Sequence, residues 1–139
     1  NKPSVAVLLV QKEVAQRLAA QPGDMSILAV SAQMYADVSL GDIVPAELFT
    51  PPPKVDSQVV ILKTRSTPLV PKEAEKEFFR VVKAGFSAKR KKLRSSLSGG
   101  LGISKDEAGE LLQKAGIDGE LRAENLAIAD WMNLMREAK

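Results

Sequence analysis

The chain has 139 residues, about the length of one domain, and its 45% hydrophobic and 27% charged residues are ordinary globular values with enough apolar side chains to bury a core. It has no cysteine and no histidine, which excludes disulfides, a Cys/His zinc site, a thiol nucleophile and a Ser-His-Asp triad. Its net charge of +3 is unevenly held: Phe78–Lys105 carries eight Lys/Arg and no Asp/Glu, while the other 111 residues carry 12 basic and 17 acidic side chains.

Val5–Val10 (VAVLLV) is a continuous apolar run without alternation, which suits a strand covered on both faces, as in α/β sheets. At six residues it is too short to span a bilayer, and so is the uncharged stretch Met25–Ala36. The chain opens on Asn1 without a signal-peptide layout and reads as a soluble piece of something longer. Lys12–Ala20 has helical composition, with Glu13 and Arg17 spaced i, i+4. Pro22-Gly23-Asp24 separates it from a second helix over Met25–Ala36, for which Asp24 or Ser26 is an available cap. Val38–Val44 is a weaker strand pattern, and Val59–Leu62 is another continuous apolar run. Three such strands are too few for a doubly wound sheet, so Val5–Val10 is expected to be an interior strand with neighbours outside this sequence.

Between the last two strands lies Leu48–Ser57 (LFTPPPKVDS). Three consecutive prolines fix an extended path and supply no amide donors, so the segment is expected to be a rigid arm. On residues alone, Phe49 packs on the sheet edge while the prolines shape a turn; the competing reading holds its ring outward against a flat partner.

Ser66–Pro71 is a two-proline connector, and beyond it every pattern is helical. The domain boundary is drawn there, giving residues 1–66 and 67–139. Over Lys76–Leu97, Phe78, Phe79, Val82, Phe86, Leu93 and Leu97 share an arc of ~100°, and Lys76, Arg80, Lys83, Arg90 and Arg94 an adjoining arc of ~80°. Gly85 and Ser87 make a helix-loop-helix with similar facing equally compatible with the pattern. Gly99-Gly100-Leu101-Gly102 follows a basic helix rather than a strand, so it is expected to be a flexible turn between helices, not a phosphate loop. Ser104-Lys105-Asp106-Glu107 is a capping box opening a helix to about Ala115, ended by Gly116. The last helix, within Asn125–Arg136, should bury Leu126, Trp131, Leu134 and Met135.

The run Lys89–Arg94 (KRKKLR) is the principal chemical signal. Clustered cations bind phosphates by charge and counterion release. Most short basic runs are solvated faces, but the acid-free window around this one favours a polyanion-binding surface. No carboxylates pair in a pattern that suggests acid–base work, although composition leaves a carboxylate-bound metal such as Mg²⁺ open. From the residues alone, the chain is a nucleic-acid-binding piece attached to an incomplete α/β body.

Five motifs occur in order: VQKEVAQRL (Val10–Leu18), AQMYADV (Ala32–Val38), FTPPPKVDSQVV (Phe49–Val60), FSAKRKKLRSSL (Phe86–Leu97) and LRAENLAIADW (Leu121–Trp131). Together they resemble the carboxyl-terminal half of the bacterial ribosomal RNA small-subunit adenine dimethyltransferases, over essentially the whole chain. The resemblance implies an α/β remnant, the last strands of a Rossmann-like methyltransferase sheet in residues 1–66, followed by a small all-α RNA-binding domain in residues 67–139. It implies transfer of methyl groups from S-adenosylmethionine to the N6 of two adjacent adenosines near the 3′ end of small-subunit rRNA, on the 30S assembly particle in the cytoplasm. Such a transfer needs neither metal nor thiol, and no membrane is involved.

By the same resemblance, Phe49 stacks on the flipped target adenine, with Pro51 and Pro52 shaping its pocket. This reverses the reading made from the residues alone. RNA contacts are implied for Lys89, Arg90, Lys91 and Arg94, where Lys89 replaces an Arg and Ser95 an Asn of the family run F-x-x-R-R-K-x-L-R-N. Lys54, Arg80, Lys83 and Arg122 complete the basic set. Ala127 stands where a capping Ser or Thr is common. The family's cofactor-binding glycine loop, its ribose-binding acid and its N-L-P-Y segment have no counterpart here, so the S-adenosylmethionine site is expected outside this chain and the fragment alone inactive. The competing readings are a non-catalytic RNA-binding or ribosome-assembly module, a macrolide-resistance-type methyltransferase acting on large-subunit RNA, and a helix-turn-helix DNA binder in Ser104–Arg136. Triple proline and the carboxyl-terminal motif oppose the second of these. The single basic residue of Asn125–Arg136 opposes the third.

Overall fold

The computed structural model describes residues 4–88 and 90–138. They form two compact units, one of Asn1–Ala20 with Leu28–Leu69, the other of Gln21–Ile27 with Val70–Lys139. Residues 21–27 thus cluster with the helical unit, although the sequence pattern groups them with the first domain. The tie is made by backbone, which carries no sequence signal: Gly23 N and Met25 N both donate to the Glu124 carbonyl, at 2.8 and 3.2 Å. Met25 is buried as well.

The first unit holds strand β1 (Val5–Gln11), helix α1 (Lys12–Leu18), helix α2 (Ile27–Tyr35, all but its first residue), strand β2 (Ala36–Val44) and strand β3 (Ser57–Thr64). The sheet order is β1-β3-β2, and β3 is antiparallel to both neighbours, so the two outer strands run parallel to each other. Opposed pairs such as Leu8 with Val60 and Val10 with Gln58 set the register. The expectation for β1 is an interior strand whose further neighbours lie outside this sequence, which would leave one edge and one face of it open here. Among the described residues it is an edge strand, and Val5, Val7, Leu8 and Leu9 are 45–63% exposed. Val5, Val7 and Leu9 share an open face with Val59 and Ile61, while Val60 on the opposite face is fully buried. An uninterrupted apolar run records two apolar faces; it does not record that both are covered within the same chain.

The helices of this unit are fastened by side chains as well as by packing. Gln33 Nε2 donates to the carbonyls of Leu18 and Ala20, at 3.0 and 2.9 Å, two acceptors left over at the end of α1. Arg65 Nε donates to the Gln33 carbonyl at 3.0 Å, and its guanidinium pairs with Asp37 at 3.2 Å.

The second unit contains α3 (Glu75–Gly85), α4 (Leu93–Leu101), α5 (Lys105–Lys114) and α6 (Ile128–Glu137). Of the two geometries left open over Lys76–Leu97, the structure adopts the broken one, with a 3-10 turn at Phe86–Ala88. The apolar arc still faces inward, since Phe78, Val82, Phe86, Leu93 and Leu97 are buried. Trp131 on α6 is fully buried, with its ring 5.5 Å from that of Phe86. A Cβ at Gly85 would collide with the Trp131 ring, so glycine at the end of α3 makes room for the largest core side chain.

The expectation of a flexible glycine turn is overturned. Gly99 and Gly100 lie inside α4, and only Gly102, at φ 70°, leaves the helix in the left-handed conformation of a carboxyl-terminal cap. The predicted capping box is present: Ser104 Oγ accepts from Glu107 N at 3.0 Å and Glu107 Oε1 accepts from Ser104 N at 3.2 Å. Ser104→Ala is therefore expected to cost about 1 kcal/mol of unfolding free energy, read by urea denaturation of the chain. At α6 the Ala127 position lacks a capping hydroxyl, but Asp130 Oδ2 accepts from Ala127 N at 3.0 Å and supplies the reciprocal half of a box.

Candidate functional site

Phe49 sits in the loop joining β2 to β3. That loop leaves the sheet where β2 ends at Val44 and returns where Ser57 pairs with Gln11, the last residue of β1. Because β1 and β2 are parallel, the loop lies at the carboxyl ends of both, the end of an α/β sheet where ligands bind. Asp56 closes its base. The Asp56 carboxylate accepts from Ala46 N at 2.9 Å, and its carbonyl accepts from Lys12 N, the first residue of α1, at 3.0 Å. A 3-10 turn over Ala46–Leu48 then carries the chain to Phe49, whose amide donates to the Ala46 carbonyl at 3.2 Å. Phe49 is half-buried, whereas Pro51, Pro52 and Lys54 are exposed. The Thr50–Pro51 peptide is cis.

Just ahead of the loop, β2 carries a register shift between Leu40 and Ile43. Gln58, buried on β3, donates from Nε2 to the Gly41 carbonyl at 3.1 Å, supplying a donor where the ladder is interrupted. Asp56 and Gln58 therefore shape the loop that presents Phe49, and neither stands out in the sequence. A carboxylate and an amide beside a proline run look like ordinary loop polarity until their backbone partners are known.

The cations belong to the other unit, apart from Lys54. Arg80 and Lys83 lie on α3, Arg90 and Lys91 precede α4, Arg94 is in its first turn, and all five are exposed. Lys89 lies outside the described residues. Arg122 follows directly on Leu121, whose carbonyl accepts from Leu93 N at 2.7 Å, so its backbone stands beside the start of α4.

Folding changes the charge picture drawn from the acid-free window. Glu77 binds Arg80 through Oε1, at 2.6 Å from a terminal guanidinium nitrogen. The hydrogen bond from Arg80 to the Glu77 side chain holds the Arg80 pKa above its ordinary value. Arg94 donates from Nε to the Lys105 carbonyl at 2.9 Å and pairs with Asp106 at 3.1 Å, pinning α4 to the first turn of α5. Its guanidinium crosses Gly109, where a Cβ would approach Nε to 3.2 Å. Lys92 pairs with Glu120. Of the predicted cations among the described residues, Lys54, Lys83, Arg90, Lys91 and Arg122 have no ion-pair partner.

No group of three or more Asp and Glu side chains able to hold a metal ion occurs among the described residues. No helix there is long and apolar enough to cross a membrane.

Two solved structures share this fold. A dimethyladenosine transferase from Plasmodium falciparum matches with a TM-score of 0.76 and 26% identity, over 94% of this chain and 55% of its own. The 23S rRNA methyltransferase ErmE shares the fold at a TM-score of 0.73 and 24% identity, over 96% of this chain and 54% of its own. Sequence relatives narrow the class. The ribosomal RNA small subunit methyltransferase A of Desulfitobacterium hafniense is 50% identical over 135 residues, covering 94% of this chain and 48% of the relative. A Dehalococcoides mccartyi protein of the same name is 43% identical over 136 residues, covering 98% and 47%. The chain belongs to the ribosomal RNA adenine dimethylase family, whose model matches residues 1–139. It spans about half the length of the curated relatives it matches.

Proposed function

We propose that this chain is the carboxyl-terminal half of an S-adenosylmethionine-dependent rRNA adenine dimethyltransferase, acting in the cytoplasm on two adjacent adenosines near the 3′ end of small-subunit rRNA during subunit assembly. Residues 1–66 are then the last part of a Rossmann-like methyltransferase domain, and residues 67–139 a helical RNA-binding domain. The observation that carries this reading is the placing of Phe49, in a loop clamped by Asp56 at the carboxyl ends of two parallel strands. A half-buried ring on a proline-stiffened loop is pre-organised to stack on a base taken out of its helix, and Pro51 and Pro52 limit where that base can lie.

Lys54, Arg80, Lys83, Lys89, Arg90, Lys91, Arg94 and Arg122 form the RNA-binding set of this reading. Lys83, Arg90 and Lys91, which have no ion-pair partner among the described residues and lie on or beside α3 and α4, carry most of the phosphate binding, with Lys54 and Arg122, unpaired as well, at its margins. Arg80 and Arg94 also hold structure, so their removal costs folding as well as binding. Replacing Lys83, Arg90 and Lys91 together by Ala is expected to weaken binding to a small-subunit rRNA fragment. It should also flatten the plot of log affinity against log salt by about 0.7–0.9 for each phosphate no longer neutralised. An unchanged salt slope refutes the docking assignment.

On this reading the S-adenosylmethionine site lies outside these residues, and two features support it. The junction from β1 to α1 passes directly from Gln11 to Lys12 with no glycine to bring backbone amides onto a ligand, and Gly99 and Gly100 are helical. The cofactor would supply the methyl group; this chain's part is to hold the base and the RNA. Isothermal titration of the 139-residue chain with S-adenosylmethionine is expected to give no heat of binding at micromolar concentration. Micromolar affinity would show that the cofactor site lies within these residues.

The non-catalytic module is not favoured, because an RNA tether has no use for the clamped Phe49 loop.

A further inference from the structure

The cations around α4 are not equivalent once the helical unit is folded. Lys92 and Arg94 each meet a carboxylate, whereas Arg90 and Lys91 meet none among the described residues. The Lys92 partner comes from the connection between α5 and α6, far along the chain. That connection is laced onto the first turn of α4 by backbone. Leu93 N donates to the Leu121 carbonyl at 2.7 Å, and Arg94 N donates to the Gly119 carbonyl at 3.4 Å. Asp118 Oδ1 accepts from Glu120 N at 2.9 Å, fixing the peptide that carries Glu120, and Ile117 is buried at the root of the loop. Glu120 is thus held beside Lys92 by three hydrogen bonds that do not involve its own side chain. Glu120 and Arg94 also line one cleft of about 280 Å³ with Gln113 and Asp118, so carboxylates stand on the side of the basic run that faces α5.

On the reading that this unit docks RNA, we infer that Glu120 selects which cations take part: its carboxylate occupies the Lys92 ammonium in place of a phosphate, keeps Lys92 away from the RNA and leaves the RNA backbone to the unpaired cations of the unit, Arg90 and Lys91 nearest to it. Carboxylate and phosphate compete for the same donor, and the carboxylate is intramolecular. The pair is two-thirds exposed, at 64% and 68% for the two side chains, so the competition is modest and reversible. The effect is one of selection rather than of strong inhibition.

The test measures affinity of the 139-residue chain for a small-subunit rRNA 3′-terminal fragment across a salt series. Glu120→Gln is expected to tighten binding about two- to fivefold at low salt, the range of an exposed ion pair. The salt slope should steepen by about 0.7–0.9, the value of one further phosphate neutralised. Glu73→Gln, in the exposed turn before α3, changes the net charge equally and is expected to leave the slope alone. In a Lys92→Ala background Glu120→Gln is expected to do nothing, and Lys92→Ala by itself is expected to weaken binding far less than Lys91→Ala. An equal gain from Glu73→Gln, an unchanged slope in Glu120→Gln, or a gain that survives Lys92→Ala overturns the inference while leaving RNA docking standing. Absence of salt-dependent binding by the unaltered chain overturns the docking reading and this inference with it.

Discussion

Gly100→Ala is expected to destabilise the helical unit by about 2 kcal/mol or more, while Gly99→Ala leaves it unchanged or stabilises it by up to about 1 kcal/mol. The two glycines are adjacent in the same helix, so propensity treats them alike. Each substitution should gain about 0.5–1 kcal/mol from the lower flexibility of alanine in the unfolded chain. They differ in what the new Cβ meets. At Gly99 nothing lies within 4 Å. At Gly100 the Cβ would come 2.5 Å from Ala84 Cα, 2.7 Å from its Cβ and 2.8 Å from its carbonyl oxygen. Ala84 Cα and its carbonyl are backbone of α3, which cannot swing aside as a side-chain tip can, so the helices must move apart and the packing of Phe78, Leu93 and Leu97 must loosen. Trp131, the single tryptophan, is buried in this unit and reports its unfolding by fluorescence. A urea midpoint for Gly100→Ala equal to that of the parent would mean that α3 and α4 do not cross this closely.

The same pair of glycines marks where sequence reasoning stops. The capping box at Ser104 is legible because its two hydrogen bonds join residues three apart, and the buried face of α6 is legible because helical periodicity is local. Gly100 reads wrongly as part of a turn because the reason for it sits in another helix. The acid-free window misleads in a similar way. Counting charge along the chain shows eight cations without a carboxylate, yet Asp106 and Glu120 reach Arg94 and Lys92 through folding. β1 shows the converse. Its apolar run reads correctly as a strand, but the cover expected on both faces is not supplied by the described residues. Of the candidate base pocket, the proline run and Phe49 stand out in the sequence. The clamp by Asp56 and the brace by Gln58 do not, because each depends on a backbone partner brought close by the loop or the sheet.

That clamp makes Phe49 the most informative functional substitution. In a polypeptide carrying this chain together with a cofactor-binding half, Phe49→Ala is expected to lower kcat/KM for methyl transfer to small-subunit rRNA by about 5- to 150-fold, the rate equivalent of ~1–3 kcal/mol of base stacking. The ring is half-buried at the end of a short turn, and the loop is held at its base by Asp56, so its truncation should leave fold and cofactor affinity intact. Phe49→Tyr and Phe49→Trp keep a flat face and are expected to retain most of the activity. Asp56→Ala acts differently. It leaves the Ala46 amide without its acceptor and frees the loop, so kcat should fall even though the aromatic ring is present, and Phe49→Tyr should not rescue it. Equal losses in Phe49→Ala and Phe49→Tyr would mean that ring shape rather than stacking matters at this position, and that Phe49 packs the loop instead of receiving a base. Loss in Phe49→Ala alone, with cofactor binding and melting temperature unchanged, is the pattern that only a stacking platform produces, because a packing residue would carry its cost into stability as well.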